Sequence, residues 1–244
     1  WHGYLVVLKP LLMLFSFNSI RLFNTIMQFG LLGMILILLS KKGYSRMAVS
    51  LLLATPFMFF QTSFASLSLS VCIYLLLIGL LIQVALDDKL VKINGYYSFF
   101  LIMGAMTSYF DFLTYPIVTL GFPLCVYFCM HEERIKKTII NMFLYSGLWG
   151  FGYFYMWASK WIMSDVLVGS STIKDALFTL GVRTGSDTVN YFMVVKKNLS
   201  AYMNRPYFVL IVAILVIVAI WMVKDLLNKK KISISIMIPC AALI

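Results

Sequence analysis

The chain has 244 residues, of which 62% are hydrophobic and only 12% charged, and it carries a formal net charge of +11 at pH 7. With a mean hydropathy of +0.94, no compact water-facing domain of this length could hide its apolar surface, which excludes a soluble globule and leaves a multi-pass membrane protein. The basic excess lies in clusters between apolar runs, so it reads as an orientation signal beside anionic headgroups and not as a nucleic-acid surface.

Taken in chain order, the first segment places Trp1, Tyr4, Leu5 and Leu8 on one helical face, with Lys9 and Pro10 ending the turn. It is expected to lie along the membrane interface before Arg21 leads into the first crossing. Uncharged runs bounded by charges then predict crossings at residues 22–39, 47–61, 67–86, 96–109, 114–130, 138–157 and 206–223, with an eighth starting at 232. The expected fold class is all-α, a polytopic transmembrane bundle of about seven or eight helices. It divides into a membrane module over 1–157, an outer loop over 158–205 and further crossings over 206–244. The chain begins with Trp1 and stops at Ile244, early in the apolar run after Lys231, so a piece of a longer protein is expected.

The short loops sort by charge. Lys41, Lys42 and Arg46 fall in one, Lys89 and Lys92 in the next on that side, then Arg134, Lys136 and Lys137, then Lys224 and Lys229 to Lys231. These are alternate loops, which the positive-inside rule makes cytoplasmic. The turns at 61–66 and 109–115 carry no Lys or Arg and face outward. His131 falls on the cytoplasmic side. His2 lies outside; alone, it reads as a structural residue before a base or ligand, and it is grouped with the candidate substrate contacts.

One acid stands out. Asp111 is the sole charge between Ile93 and Met130, a run too long for one crossing of about 20 residues, so the chain must fold back near it. Asp111 or Thr114 can cap the helix that begins near Pro116, and an acid at membrane depth is equally a candidate for chemistry.

The outer loop 158–205 is long, mixed in charge and amphipathic, and its patches at 173–180 and 191–195 suggest short helices on the membrane surface. Tyr155, Trp157 and Trp161 fit an aromatic belt where the preceding helix leaves the bilayer, a role compatible with sugar stacking. The four cysteines, Cys72, Cys125, Cys129 and Cys240, all lie in apolar helices. Cys125 and Cys129 have no His or acid companions, so small hydrophobes are the better reading than a zinc or redox pair. There is no P-loop, GxGxxG or GxSxG motif, and the sequon Asn198-Leu199-Ser200 is incidental in a chain of this Ile- and Lys-rich, bacterial composition.

An outer amphipathic segment, a crossing inward, pairs of crossings with very short connections and then a large outer loop together resemble the membrane module of GT-C type glycosyltransferases. The segment WHGYLVVLKPLL leading to Ser19-Ile20-Arg21 is similar to the region after the first outer loop of bacterial members. FDFLTYPIVTLG, from Phe110 to Gly121, falls where such enzymes carry a polar, proline-containing hairpin beside the active site.

The resemblance implies transfer of a sugar from a polyprenyl-phosphate carrier to an acceptor at the outer face of a bacterial cell membrane. Its chemistry needs a carboxylate as base, cations for the lipid phosphate and aromatics for the sugar. Asp111 is the candidate catalytic acid, or a residue positioning acceptor or a divalent cation; Arg205, Lys196 and Lys197 are the cations, and Trp161 and Tyr115 the aromatics. Such enzymes present an essential acid in the first outer loop, which would lie upstream of Trp1, and the turn at 61–66 has none. The competing class is a transporter or lipid flippase, disfavoured by the lack of an internal repeat and of mid-helix charge. A non-catalytic membrane subunit is the third reading.

Overall fold

A computed structural model describes residues 3–55, 66–110, 116–131 and 133–169, and beyond 169 separate positions such as 174, 192–193 and 195–197. The fold is all-α, and no strand occurs among the described residues. Internal contacts divide the chain into two compact units, Trp1–Lys160 with Ile234–Ile244, and Trp161–Ser233.

The helices are α1 (Leu5–Leu14), α2 (Phe17–Lys41), α3 (Ser45–Ala54), α4 (Leu67–Ala85), α5 (Asp87–Lys92), α6 (Tyr96–Tyr109), α7 (Val118–Met130) and α8 (Ile135–Val168). Among the described residues α2 is the helix both long and apolar enough to cross a membrane; Leu5–Leu14, Ser45–Ala54, Leu69–Ala85 and Val118–Met130 are apolar but shorter. The expected helix at 96–109 is found as α6, and the run at 67–86 as α4. The helices expected from 206 and 232 lie outside the continuously described residues.

Three boundaries differ from expectation for local reasons. Pro10 sits inside α1 and does not end it, because one proline forfeits its own N–H bond while the flanking apolar residues keep the helical path. α2 starts at Phe17, five residues early, because Ser16 is extended and its hydroxyl accepts from the Ser19 amide at 3.2 Å. α8 runs to Val168, well past Trp157, since nothing between 158 and 168 is Gly or Pro. Its 34 residues extend about 51 Å at 1.5 Å per residue, which exceeds the roughly 30 Å hydrocarbon core. Residues 158–168, read as loop, are helical.

Two turns at one end of the first unit are closed in the same way. After α2, the Gly43 amide bonds Ser40 O at 3.1 Å and the Tyr44 amide bonds Leu39 O at 2.8 Å, with Gly43 at φ +88°. After α5, Asn94 takes the left-handed place at φ 53°, its amide bonding Val91 O at 3.2 Å and the Gly95 amide Leu90 O at 2.7 Å. Both are Schellman motifs, which satisfy the last carbonyls of a helix and redirect the chain sharply.

α4 is the hub, touching α1, α2, α5, α6 and α7. One apolar cluster joins α2, α3 and α4, with Leu32, Ile35, Leu39, Leu76, Leu77 and Leu80 at its centre and Val126 of α7 alongside. A second joins α6, α7 and α8 around Phe100, Leu124, Phe128, Tyr145 and Trp149. Polar bonds pin the helices within these clusters. Gln83, fully buried in α4, donates from Nε2 to the Pro123 carbonyl of α7 at 2.9 Å. The Thr107 and Thr119 hydroxyls lie 2.7 Å apart, and Trp149 Nε1 donates to Thr119 at 3.2 Å, tying α6, α7 and α8 together.

The basic segments converge at one end of this unit. Lys42 lies 3.8 Å from Asp88, the Tyr44 hydroxyl donates to Met130 O at 3.2 Å, and His131 lies 3.3 Å from Asp87. This is the basic end. The C-terminus of α6 and the N-terminal segment meet at the opposite end, where Gly3 is pressed against the Tyr109 carbonyl.

Candidate functional site

At the end opposite the basic segments, α1, α2, α4 and α6 enclose an apolar cleft of about 380 Å³, within the roughly 300–1,000 Å³ range of small-molecule sites. Val7, Leu8 and Leu11 of α1 form one wall, Val71, Leu75 and Ile78 of α4 another, and Met106 and Phe110 close the α6 side. Three polar side chains reach this lining, and they are bonded to one another. Asn24 Nδ2 donates to Ser70 Oγ at 3.2 Å, and the Tyr74 hydroxyl donates to Asn24 Oδ1 at 3.2 Å. Their mutual bonding leaves the remaining walls hydrocarbon, which suits an aliphatic chain better than a polar metabolite.

Phe110 ends the cleft, and the two carbonyls just before it hold a cation. Lys160 Nζ donates to Ser108 O at 2.9 Å and to Tyr109 O at 2.7 Å, and lies 5.5 Å from the centre of the Tyr109 ring. The last carbonyls of a helix lack amide partners and carry its negative partial charge, so an ammonium there is doubly favoured. The buried Ser108 hydroxyl beside it finds no hydrogen-bond partner among the described residues.

Several residues singled out in the sequence cannot be placed on this geometry. Asp111, Tyr115, His2 and Arg205 lie outside the described residues, as does the capping role suggested for Asp111 or Thr114. The N-cap position of α7 is Ile117, which makes no side-chain cap. Trp161 lies half-buried on α8, a helical and not a loop position. Lys196 and Lys197 are helical and exposed, and Ser200 Oγ donates to Lys197 O at 2.9 Å. Phe178, Phe192, Met193 and Val195, within the patches read as surface helices, are helical and exposed too. No group of three His, Cys, Asp or Glu able to hold a metal occurs among the described residues.

Sequence reasoning missed Lys160, the Asn24–Ser70–Tyr74 triad and a network at the basic end. Asn24 and Gln28, four apart on one face of a largely apolar helix, were the legible signal for the triad. Lys160 carried none, because it was assigned to a loop. The basic-end network joins Asp87, Tyr96, Tyr127, His131 and Glu133 across α5, α6, α7 and the start of α8, which no local pattern announces.

Comparison with protein-family models, curated proteins and solved structures finds no match for this chain.

Proposed function

We propose that the chain is the multi-pass membrane module of a GT-C type glycosyltransferase, which moves a sugar from a polyprenyl-phosphate carrier to an acceptor on the extracytoplasmic face of a bacterial membrane. The observation that carries this reading is the apolar cleft, which lies away from the basic loops and ends at Phe110, immediately before Asp111 in the chain. Such a cleft suits one isoprenoid chain, with its phosphate at headgroup level. The shorter apolar helices α3, α4 and α7, the first preceded and the other two followed by a basic segment, support several crossings beside that of α2.

In this mechanism Asp111 is the base that takes the acceptor hydroxyl proton as the sugar anomeric carbon is attacked, and the lipid phosphate leaves with its charge met by Lys or Arg. Lys196, Lys197 and Arg205 are the cationic candidates of the outer segment, and Trp161 and Tyr115 the aromatic ones. A lipid flippase would use the same cleft without the carboxylate, so sugar transfer separates the two readings.

The test is binding and turnover of short-chain polyprenyl-phosphate sugars by the protein in nanodiscs. Filling the cleft with Val71→Trp or Ile78→Trp is expected to weaken carrier binding at least about tenfold, the equivalent of 1.4 kcal/mol. Ile37→Trp, on an exposed α2 position, should leave it unchanged. Equal binding by all three variants would refute the cleft as the lipid site, and binding without sugar release from any carrier would leave the flippase.

A further inference from the structure

The geometry at the basic end points to a pH-sensitive latch: we propose that protonated His131, bridging the Tyr127 carbonyl and the Asp87 carboxylate, holds α5 against the end of α7, and that loss of its proton frees α5. The two ring nitrogens carry the argument. Nδ1 lies 2.9 Å from the Tyr127 carbonyl oxygen, and Nε2 lies 3.3 Å from Asp87 Oδ1. Both partners are pure acceptors. A neutral imidazole has one N–H and one bare nitrogen, so either tautomer turns a lone pair toward an oxygen; only the imidazolium satisfies both contacts.

The surroundings favour a local device over a general structural bond. The Tyr96 hydroxyl also donates to Asp87 Oδ1, so the carboxylate keeps a partner when His131 lets go. The His131 ring stacks on Tyr127, with centroids 4.6 Å apart, and this contact is indifferent to charge. Of the other charged groups nearby, Lys42 faces the exposed Asp88 at 3.8 Å. Glu133 is held by Lys137 at 2.9 Å, by Asn141 Nδ2 at 2.7 Å and by the Tyr127 hydroxyl at 3.3 Å, while Tyr145 donates to Tyr127 at 3.4 Å. α5 itself is six residues long, begins at Asp87 and leads through the Asn94–Gly95 turn into α6. Parting Asp87 from His131 therefore unfastens the start of this short helix from α7, while the Tyr96 bond and the Asn94–Gly95 turn keep it on α6.

Burial pushes the His131 pKa down, but the Asp87 carboxylate, the Tyr127 carbonyl and Glu133 outweigh it, and the group lies above the usual histidine value. Burial pushes Asp87 up, yet His131, Tyr96 and Lys42 outweigh that and hold its carboxyl below the usual range. The raised histidine contributes its full stabilisation below the ordinary value and loses it as pH rises through the folded-state value; the lowered aspartate loses its share only as pH falls through its own. The latch is closed between those limits and opens on the alkaline side.

Amide hydrogen exchange of the full chain in nanodiscs, corrected for intrinsic rates, reads this directly over residues 87–96. Protection there should fall from mildly acidic to mildly alkaline pH, while the centre of α4 stays protected. His131→Arg, a fixed cation, should remain protected throughout, and His131→Gln should be open throughout. Wild-type protection that does not change with pH overturns the latch, as does an unaltered profile in His131→Gln. If a variant fails to fold, the imidazole titration of the wild type decides: a midpoint at or below the ordinary histidine value is equally fatal.

Discussion

Lys160 donates to the carbonyl of Tyr109 at 2.7 Å and to that of Ser108 at 2.9 Å, so a residue late in α8 caps the C-terminus of α6. The same Tyr109 carbonyl is approached by Gly3, where an added Cβ would lie 2.0 Å from the oxygen. Two segments remote in sequence thus fix the helix end that leads into Asp111.

Removing that ammonium should cost stability. Lys160→Met leaves two helix-end carbonyls short of a donor, and each partly dry carbonyl is worth about 1–3 kcal/mol when unsatisfied. Thermal unfolding in nanodiscs should show a lowered midpoint, with Lys160→Arg recovering most of it because guanidinium also donates to carbonyls. An unchanged midpoint in Lys160→Met would mean that water replaces the ammonium at no cost.

α6 and α8 cross at glycine. A Cβ on Gly104 would lie 2.0 Å from Trp149 O, and one on Gly152 would lie 2.1 Å from Leu101 O; such distances are impossible without separating the helices. In lipid, where close backbone approach supplies the attraction, small residues at a crossing are the source of association. Gly104→Leu and Gly152→Leu should abolish folded yield by size-exclusion chromatography. Gly147→Ala and Gly150→Ala, where nothing lies within 4 Å, should fold normally and gain about 0.5–1 kcal/mol in helix stability. Well-folded Gly152→Leu protein would refute the crossing.

The basic segment before α3 and the segment that follows α8 are expected to face opposite sides of the membrane. Single cysteines at Ser45, beside the basic cluster, and at Ser170, after α8, in a background lacking the four native cysteines, should label from opposite sides with an impermeant reagent. Labelling from one side would remove the topology and, with it, the glycosyltransferase proposal.

Asp111 is expected to act through its charge. Asn supplies the same acceptor oxygen to a helix start, so Asp111→Asn should leave thermal stability nearly unchanged and strongly reduce sugar transfer. Full activity in a well-expressed variant would return the residue to a capping role.

The charge pattern of the loops and the length of the apolar runs were enough to locate α4 and α6 and to group Lys42, Lys89 and Arg134 together, because crossing length and loop charge are one-dimensional constraints. Helix ends set by single residues were partly readable: the Ser16 cap and the Gly43 turn are written in residue type, whereas the run of α8 past Trp157 depended on the absence of any stop signal, which an aromatic belt obscured. The pairings were decided by tertiary structure alone. Lys160 with Tyr109, Asn24 with Ser70, Gly104 with Trp149 and Asp87 with His131 join helices through positions that look ordinary in their own segments. Helix geometry determines which side chains share a face, but which faces meet depends on how the helices pack, and that order brings the apolar cleft and the basic-end network into being.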